Sequence, residues 1–330
     1  MSTAAYAKAR DIAALKTIRF LGLDLHCISY QEMFARFDQW INSPDGRGYS
    51  VALINVNCCV SGLLSPDIRA VYQRADLLGI DSMPFVYIAR LLKDRRSDRL
   101  YGPDVMLETA REAPQRGYKF FLYGGVPGAP EAMSALLKEM SPRLTVAGTF
   151  SPPFRELTQE EDDAICRIIA DSGANIVWVG LGSPKQDIWI ERHRHKLPGC
   201  ILIASGATFD FFSGRIRQAP LWIQKAGMEW LFRLFQDPVR LWKRYTVYNV
   251  LFAGALILEI LGVLRLGESH AARASQPAAS RVKTPNIYRS LGSRLAKRRN
   301  EPRPQGAASP DSSNRLPAEQ RSPGAQEANP

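Results

Sequence analysis

Residues 175–186 read NIVWVGLGSPKQ, an apolar and partly β-branched run that ends in a glycine-rich turn. A short apolar run bounded by glycine predicts a buried strand. The Ser-Pro pair after it suits a helix start, because proline is favoured in the first helical turn. The same strand–turn–helix order recurs along the chain. The sequence therefore predicts an α/β fold, a Rossmann-like parallel sheet with helices on both faces.

The predicted elements alternate at the spacing of such a sheet. Strands are expected at Val51–Asn55, Leu77–Asp81, Lys119–Gly124, Leu144–Phe150, Asn175–Leu181 and Cys200–Ser205. Helices are expected at Pro66–Ala75, Pro84–Lys93, Asp104–Arg116, Ala129–Met140, Thr158–Ser172 and Pro184–His195. Sheets of this kind bind ligands outside the carboxyl ends of their strands. The glycine, Asn, Asp and Gln clusters of this chain fall at those ends.

Charge is distributed unevenly over the 330 residues, whose net charge is +11. Residues 1–214 hold 24 Lys and Arg against 24 Asp and Glu. Residues 215–266 hold 8 basic and 3 acidic side chains, and residues 267–330 hold 11 and 5. A neutral body with a basic rear predicts an enzyme or binding domain that lies against an anionic partner.

Four segments follow from this pattern. Residues 1–20 form a leader whose charges interrupt every apolar run, so a secretory signal is not predicted. Residues 21–214 form the α/β core, 215–266 a basic, aromatic helical appendage, and 267–330 a basic tail. The tail is rich in Pro, Ser, Ala, Arg and Gln and is predicted to be disordered. Five cysteines without C-x-x-C spacing favour a reducing cytoplasm over a disulfide framework.

The appendage has the composition of a membrane-associating segment. Residues 219–245 interleave aromatic and basic side chains, and residues 248–266 are almost wholly apolar. A membrane span needs about 20 apolar residues, and Glu259 near the middle would cost roughly 2.5–3.5 kcal/mol on insertion. An interfacial helix on an anionic membrane fits better. A spanning helix and packing against the core or a second copy remain alternatives.

Two glycine loops follow predicted strands and precede predicted helices. The first contains Gly124, Gly125 and Gly128, and no acidic residue ends the next strand as a dinucleotide site requires. It is either a phosphate-binding loop or a tight turn. The second runs from Gly180 through Gly182 to Gln186. It is either a capped helix start, with Ser183 as N-cap and Pro184 at N1, or a sugar or phosphate site that uses Lys185 and Gln186.

Polar side chains at other strand ends are further candidates. Asp81 ends an apolar strand and is either a helix cap or a general base. Asn55 and Asn57 lie beside it if sequential strands pair, or are turn residues. Arg99 is either a surface ion-pair partner or a site residue. Asp210 lies within Phe-Asp-Phe-Phe and needs a donor, such as a ligand hydroxyl, because an unpaired buried charge is costly.

No metal site and no cofactor are predicted. His193 and His195 fall at a predicted helix end, where cations suit the helix dipole. Residues 160–163 are an acidic first helical turn, and no D-x-D motif occurs. A sugar-nucleotide enzyme of the metal-bound kind is therefore disfavoured.

Taken together, these residues resemble the WecG/TagA/CpsF family of bacterial glycosyltransferases (glycosyltransferase family 26) from about Leu21 to Leu261. The resemblance rests on motifs in order along the chain: Asn57 in Asn-x-Asn, Ala75-Asp76, Arg99-x-x-Gly102-x-Asp104, Gly124-Gly-x-Pro-Gly128, Gly180-x-Gly-x-Pro-Lys-Gln186, Gly206-Ala-x-Phe-Asp210-Phe, Arg217-x-Ala-Pro220, Gly227-x-Glu-Trp230 and Asp237-Pro-x-Arg240-Leu-x-x-Arg244-Tyr. So many motifs at family spacing are not explained by chance.

The resemblance implies an inverting, metal-independent transferase. Such enzymes pass a sugar, N-acetylmannosamine in the best-known members, from a UDP-sugar to an undecaprenyl-diphosphate-linked sugar at the cytoplasmic membrane face, in surface polysaccharide synthesis. The family's proposed base falls on Asp81. Its flanking polar residues fall on Asn55, Asn57, Arg99 and Gln186, and its nucleotide side on Asp210 and the Gly124–Gly128 loop.

The chain departs from the family pattern at two places. Asn55 stands where the family usually has Thr, and Ser82 where it usually has Gly after the Asp. Both touch the sugar or acceptor pocket, so the donor need not carry N-acetylmannosamine. The expected diphosphate or membrane contacts lie behind residue 214: Arg217, Arg240, Lys243 and Arg244.

Other partners and a rival function complete the expectations. A nucleic-acid partner is not predicted, since the tail has Tyr288 as its one stacking aromatic. A homo-oligomer is left open. The rival function is a non-catalytic membrane-surface scaffold of a polysaccharide synthesis complex.

Overall fold

The sheet organises the molecule, which a computed structural model describes over residues 15–92, 97–264 and 266. Within these residues the strands are β1 Thr17–Phe20, β2 Leu23–His26, β3 Tyr49–Ile54, β4 Leu77–Ile80, β5 Lys119–Gly124, β6 Thr145–Phe150, β7 Ile176–Gly180 and β8 Ile201–Ala204. They form one sheet in the order β1-β2-β4-β3-β8-β7-β5-β6. Only the β1–β2 pair of this sheet is antiparallel.

Helices connect the strands and continue beyond the last one. In the described part of the chain they are α1 Tyr30–Ile41, α2 Val56–Leu64, α3 Pro66–Gln73, α4 Met83–Leu92, α5 Gly102–Arg116, α6 Ala129–Met140, α7 Gln159–Asp171, α8 Lys185–His193, α9 Gly206–Phe212, α10 Leu221–Lys225, α11 Glu229–Gln236 and α12 Pro238–Ile260. Local signals set several ends: Thr158 and Glu161 form a capping box at the start of α7, and Gly117 ends α5 in the left-handed conformation.

Alternate residues of the central strands face opposite layers of helices. Val51 and Leu53 of β3 pack with α1, α5, α6 and α9. Ala52 and Ile54 pack on the other face with α2, α3, α4 and α12, and the same face of β5, β7 and β8 is covered by α7 and α8. The predicted α/β class with helices on both faces of the sheet is confirmed, but the sheet is mostly rather than wholly parallel because β1 and β2 pair antiparallel.

The six predicted strands and six predicted helices are all present, with ends that differ by one or two residues in most cases. The hairpin of β1 and β2 and helices α1, α2 and α9 were not predicted. The β1 strand falls inside the segment assigned to a leader, because a polar–apolar alternation over only four residues is too short to stand out. Asn55, assigned to a strand end, is the N-cap of α2.

The C-terminal helix α12 packs one face against the core. The Phe252 ring lies 5.3 Å from that of Phe85, and Ala255 is buried. The Glu259 carboxylate accepts hydrogen bonds from the backbone N–H groups of Leu21 at 2.7 Å and Gly22 at 3.2 Å. No helix in the described residues is long and apolar enough to span a bilayer. One face of α12 therefore packs against the core, which was one of the alternatives for this segment. The predicted tail from residue 267 lies outside the described residues.

We expect Glu259→Ala to lower the free energy of unfolding by about 1–3 kcal/mol, because two partly buried N–H groups lose their acceptor. Urea denaturation followed by circular dichroism measures this. Glu139→Ala, at an exposed position of α6, is the control and should change stability by less than about 0.5 kcal/mol. Equal stability of both variants would mean that α12 does not hold the hairpin.

Candidate active site

The carboxyl ends of five neighbouring strands form one continuous edge. Across the sheet it carries Asp81 after β4, Asn55 after β3, Gly206 after β8, the Gly180–Gln186 loop after β7 and Gly124 at the end of β5. Neighbouring strands lie about 4.8 Å apart. Asp81 and the Gly124 loop are therefore separated by roughly 19 Å along this edge, and the predicted base and the predicted nucleotide loop stand at its two ends.

Asp81 is held by backbone and side-chain contacts. Its N–H donates to the Ile54 carbonyl at 3.0 Å, and Asn55 Nδ2 donates to its Oδ2 at 3.0 Å. Asn55 Oδ1 accepts from the Cys58 N–H at 3.2 Å, which leaves the amide nitrogen for Asp81. The Asp81 residue is partly exposed, while its Oδ1 atom is buried without a hydrogen bond inside the described part of the protein. The prediction that Asn55 lies beside Asp81 is confirmed.

Burial raises the pKa of Asp81 to about 6. The Arg99 guanidinium and the Asn55 amide act in the opposite direction because both stabilise the carboxylate, and Glu229 adds a further increase. A carboxylate that ionises near pH 6 is a suitable proton acceptor at neutral pH.

Arg99 connects Asp81 to the C-terminal helices. Its Nε donates to the Asp81 backbone carbonyl at 2.5 Å, and its Nη2 lies 2.7 Å from Glu229 Oε2. The Tyr101 hydroxyl donates to Glu229 Oε1 at 2.7 Å, and the Arg99 guanidinium lies 4.2 Å from the Tyr101 ring centroid. The surface-pair alternative for Arg99 is wrong, since its side chain is 16% exposed.

Glu229, Tyr101 and Arg233 are residues of this site that sequence reasoning missed. Arg233 lies on α11, one turn after Glu229; its charge lowers the pKa of Asp81, and it lies 5.3 Å from the Phe211 ring. One signal could have found Glu229: it is an acidic residue in a basic segment and belongs to the Gly227-x-Glu-Trp230 motif.

Gln186 lies at the β7 and β8 ends of the edge. It is 6% exposed, and its Oε1 is buried without a hydrogen bond among the described residues. A Cβ on Gly206 would come 2.5 Å from this oxygen and 3.0 Å from the Gly182 Cα. The three residues therefore pack together at the centre of the edge.

The glycines at the ends of β5 and β7 are needed for close packing. Gly125 N–H donates to the Gly180 carbonyl at 2.9 Å, so this amide is already used. A Cβ on Gly180 would lie 2.3 Å from the Phe209 ring, and one on Gly124 would lie 2.5 Å from Gly180. The positions of Gly128 and Gly182, in contrast, are open. The tight-turn interpretation therefore holds for Gly124 and Gly125 of the first loop. The exposed Gly128 of that loop and Gly182 of the second leave room for a ligand beside the backbone.

Helix α8 begins one residue later than predicted. Pro184 rather than Ser183 is the N-cap, and Lys185 is exposed. The Ser183 hydroxyl lies instead 3.2 Å from that of Tyr72. Asp187, on the buried face of α8, has its pKa raised to about 7 by desolvation.

The remaining candidates lie at several places. Asn57 is in the first turn of α2 and is partly buried. Asp210 on α9 is partly exposed, and Arg215 Nη1 lies 3.4 Å from its Oδ1, so this chain supplies the expected donor. The exposed Arg217 is bonded through both backbone groups to the Gln236 amide. His193 is buried and stacks on Trp189.

Three of the expected basic contacts are on α12, where the structure describes their backbone but not their side chains: Arg240, Lys243 and Arg244. In the described residues, no three His, Cys, Asp or Glu side chains group as metal ligands.

Comparison with known proteins identifies the family of the chain. A family model described as "Glycosyl transferase WecG/TagA/CpsF family" matches residues 18–265. The chain belongs to this family. It is a glycosyltransferase, and the match includes α10–α12 as well as the sheet.

Two characterised relatives have the name N-acetylglucosaminyldiphosphoundecaprenol N-acetyl-beta-D-mannosaminyltransferase. The one from Bacillus subtilis (strain 168) is 27% identical over 197 residues, 60% of this chain and 75% of the relative. The one from Bacillus spizizenii (strain ATCC 23059 / NRRL B-14472 / W23) is 27% identical over 198 residues, with the same coverage.

The raised pKa of Asp81 makes a stability prediction for this glycosyltransferase. The pKa rises from 3.8 to about 6 on folding, so the carboxylate costs stability above pH 6 and nothing below about pH 4. We expect Asp81→Asn to stabilise the fold by about 1–2 kcal/mol at pH 8, and to leave it unchanged at pH 4. Thermal unfolding at both pH values measures this, and an equal Tm for variant and wild type at pH 8 contradicts it.

Proposed function

We propose that this enzyme transfers a sugar, with inversion and without a metal ion, from a UDP-sugar to a sugar linked to undecaprenyl diphosphate. The observation that carries the proposal is the Asp81 carboxylate at the edge of the sheet, with Asn55 and Arg99 beside it. The names of the two relatives support the acceptor class and a hexosamine donor. UDP as the donor nucleotide follows from the family resemblance.

In the proposed reaction Asp81 accepts the proton of the acceptor hydroxyl. The hydroxyl oxygen forms a bond to the anomeric carbon of the donor sugar as the bond from that carbon to the UDP oxygen breaks. UDP leaves with the electron pair, and attack from the opposite side inverts the anomeric configuration. Asn55 orients Asp81 for this step, and Asn57 and Gln186 contact the sugars.

Positively charged groups stabilise the negative charge on the departing diphosphate. Arg99 and Arg233 face Asp81 from two elements. The open backbone at Gly128 and Gly182 and the start of α6 serve the nucleotide end, with Gly124, Gly125 and Gly180 shaping it.

Further contacts are proposed at each end of the donor and acceptor. Asp210 and Lys185 serve the nucleotide side. Cations behind residue 214 contact the diphosphate or the membrane: Arg217, Arg240, Lys243 and Arg244.

The enzyme is proposed to act as a peripheral protein at the cytoplasmic face of the bacterial inner membrane, where a lipid-linked acceptor is found. Helices α10 to α12 expose large apolar side chains: Leu221, Trp222, Phe235, Val239, Trp242, Val250 and Ile260. Basic side chains of the same region would attract anionic lipid. Docking there raises the effective concentration of the acceptor.

Because Asn55 replaces the usual threonine, the proposal admits a donor sugar other than N-acetylmannosamine. An amide is longer than a threonine side chain and donates to Asp81, which changes the surface next to the reacting sugar. N-acetylmannosamine or another hexose is compatible with this site.

A panel of UDP-sugars with a short-chain prenyl-diphosphate-sugar acceptor tests the function through release of UDP. We expect acceptor-dependent release from one donor, and a loss of about 10²-fold or more in Asp81→Asn because the base is absent. Activity that survives this substitution would show that Asp81 is not the base. Binding of UDP without release from any donor would contradict the proposed donor and acceptor classes.

Membrane association makes a separate prediction. The double variant Trp222→Ala, Phe235→Ala should bind phosphatidylglycerol vesicles about tenfold more weakly, because two side chains exposed by 72% and 77% no longer insert. Vesicle co-sedimentation measures this. The control is Phe154→Ala, an equally exposed aromatic (83%) in the loop before α7. Unchanged binding of the double variant would place the membrane contact elsewhere.

A further inference from the structure

We infer that Glu229 is a positioning residue for the transfer, one that holds the Arg99 guanidinium against the Asp81 backbone and places a negative charge beside the Asp81 carboxylate. The inference rests on the proposed function, in which Asp81 is the base. Glu229 reaches this site from α11, whereas Asp81 directly follows β4 and Arg99 lies beside that strand.

The contacts of Glu229 give it a fixed orientation. Each carboxylate oxygen has its own donor: Arg99 Nη2 at 2.7 Å from Oε2 and the Tyr101 hydroxyl at 2.7 Å from Oε1. The Glu229 side chain is only 12% exposed. Charge-assisted bonds in such a place are stronger and more directional than exposed ones. Arg99 is therefore held by the Glu229 carboxylate and the Tyr101 ring, while its Nε–H donates to the Asp81 carbonyl.

The Asp81 carbonyl is the group through which Arg99 contacts the candidate base. Arg99 Nε binds it at 2.5 Å, and the Asp81 N–H is bonded to Ile54. The N–H and the carbonyl of Asp81 are therefore both hydrogen-bonded. Because Arg99 makes the bond to the carbonyl, its position affects the orientation of the Asp81 backbone and carboxylate. Loss of the Glu229 contact frees Arg99 to turn from the carbonyl to the carboxylate.

Charge is the second effect of Glu229. The charged groups that face Asp81 are Arg99 beside β4 and Glu229 and Arg233 on α11, and the Asn55 amide faces it from α2. The groups around Glu229 also include Tyr101 and Asp104. Glu229 offsets the positive charge of Arg99, and this offset keeps Asp81 a stronger proton acceptor. Without Glu229, the positive charges of Arg99 and Arg233 would lower the pKa of Asp81 and the negative charge of Glu229 would no longer oppose them.

The pH dependence of kcat in Glu229→Gln, in the full-length protein, tests the inference. An amide keeps the size of the side chain and removes its charge. Because Glu229 raises the pKa of Asp81, its loss should move the acid limb of the profile to lower pH. We also expect the plateau kcat to fall about three- to tenfold, since a weaker base transfers the proton less well.

Glu191→Gln is the matched control. Glu191 is also nearly buried (10% exposed) and also has two side-chain partners, here Arg74 and Arg194, but it lies on α8 outside the site. This variant controls for the loss of a buried ion pair, and its acid limb should stay in place. Tyr101→Phe supplies a second comparison: it removes a hydrogen bond of Glu229 without changing charge, so kcat should fall while the acid limb stays.

The outcomes separate the inference from the proposed function. An acid limb that moves down in Glu229→Gln alone supports the inference. If Glu229→Gln and Glu191→Gln lose Tm alike and neither limb moves, Glu229 is only structural and the inference is overturned. If Asp81→Asn keeps its activity, the base assignment fails, and with it the proposed mechanism, whatever Glu229 does.

Discussion

The hydrogen bond from the Asp81 N–H to the Ile54 carbonyl continues the β3–β4 pairing, and the site depends on it. Because the strands are parallel and in register, the residues after them emerge side by side at one edge. Asn55 then caps α2 with its oxygen and can offer only its nitrogen to Asp81. Helix capping, a local requirement of α2, therefore also orients the candidate base.

The C-terminal helices belong to the site as well as to the basic rear of the chain. Glu229 and Arg233 on α11 reach the neighbourhood of Asp81, while α12 is bound to the β1–β2 hairpin through Glu259. An acidic residue in an apolar helix looked like an obstacle to membrane insertion. In the structure it is an acceptor for two backbone N–H groups, so the same charge that disfavours spanning favours docking on the core.

The fold could be predicted largely from the sequence, because apolar runs and glycine turns are local signals. The region from Val51 to Ser205 alternates clearly enough to place six strands and six helices. The hairpin at Thr17–His26 could not be found in this way, since four-residue strands carry little periodicity. Asp81 and Asn55 were accessible because they directly follow strands, Gln186 because it follows the glycine turn after β7, and Arg99 because it stands in a family motif.

The contacts of Tyr101, Glu229 and Arg233 could not be predicted, because they join elements far apart in the chain. The motif that contains Glu229 marks this residue but does not indicate its partners. Arg99 and Glu229 are separated by 130 positions, and no local pattern relates them. The glycine loops are a second example, because the sequence indicates only a turn. The structure shows that the Phe209 ring leaves no space for a side chain at Gly180, whereas the space beside Gly182 is empty of protein atoms. The sequence by itself determined the α/β class, the family and the strand ends that carry the candidate site, since these depend on local pattern. The tertiary structure decided which charges meet at Asp81, because electrostatic partners are set by distance in space and not along the chain.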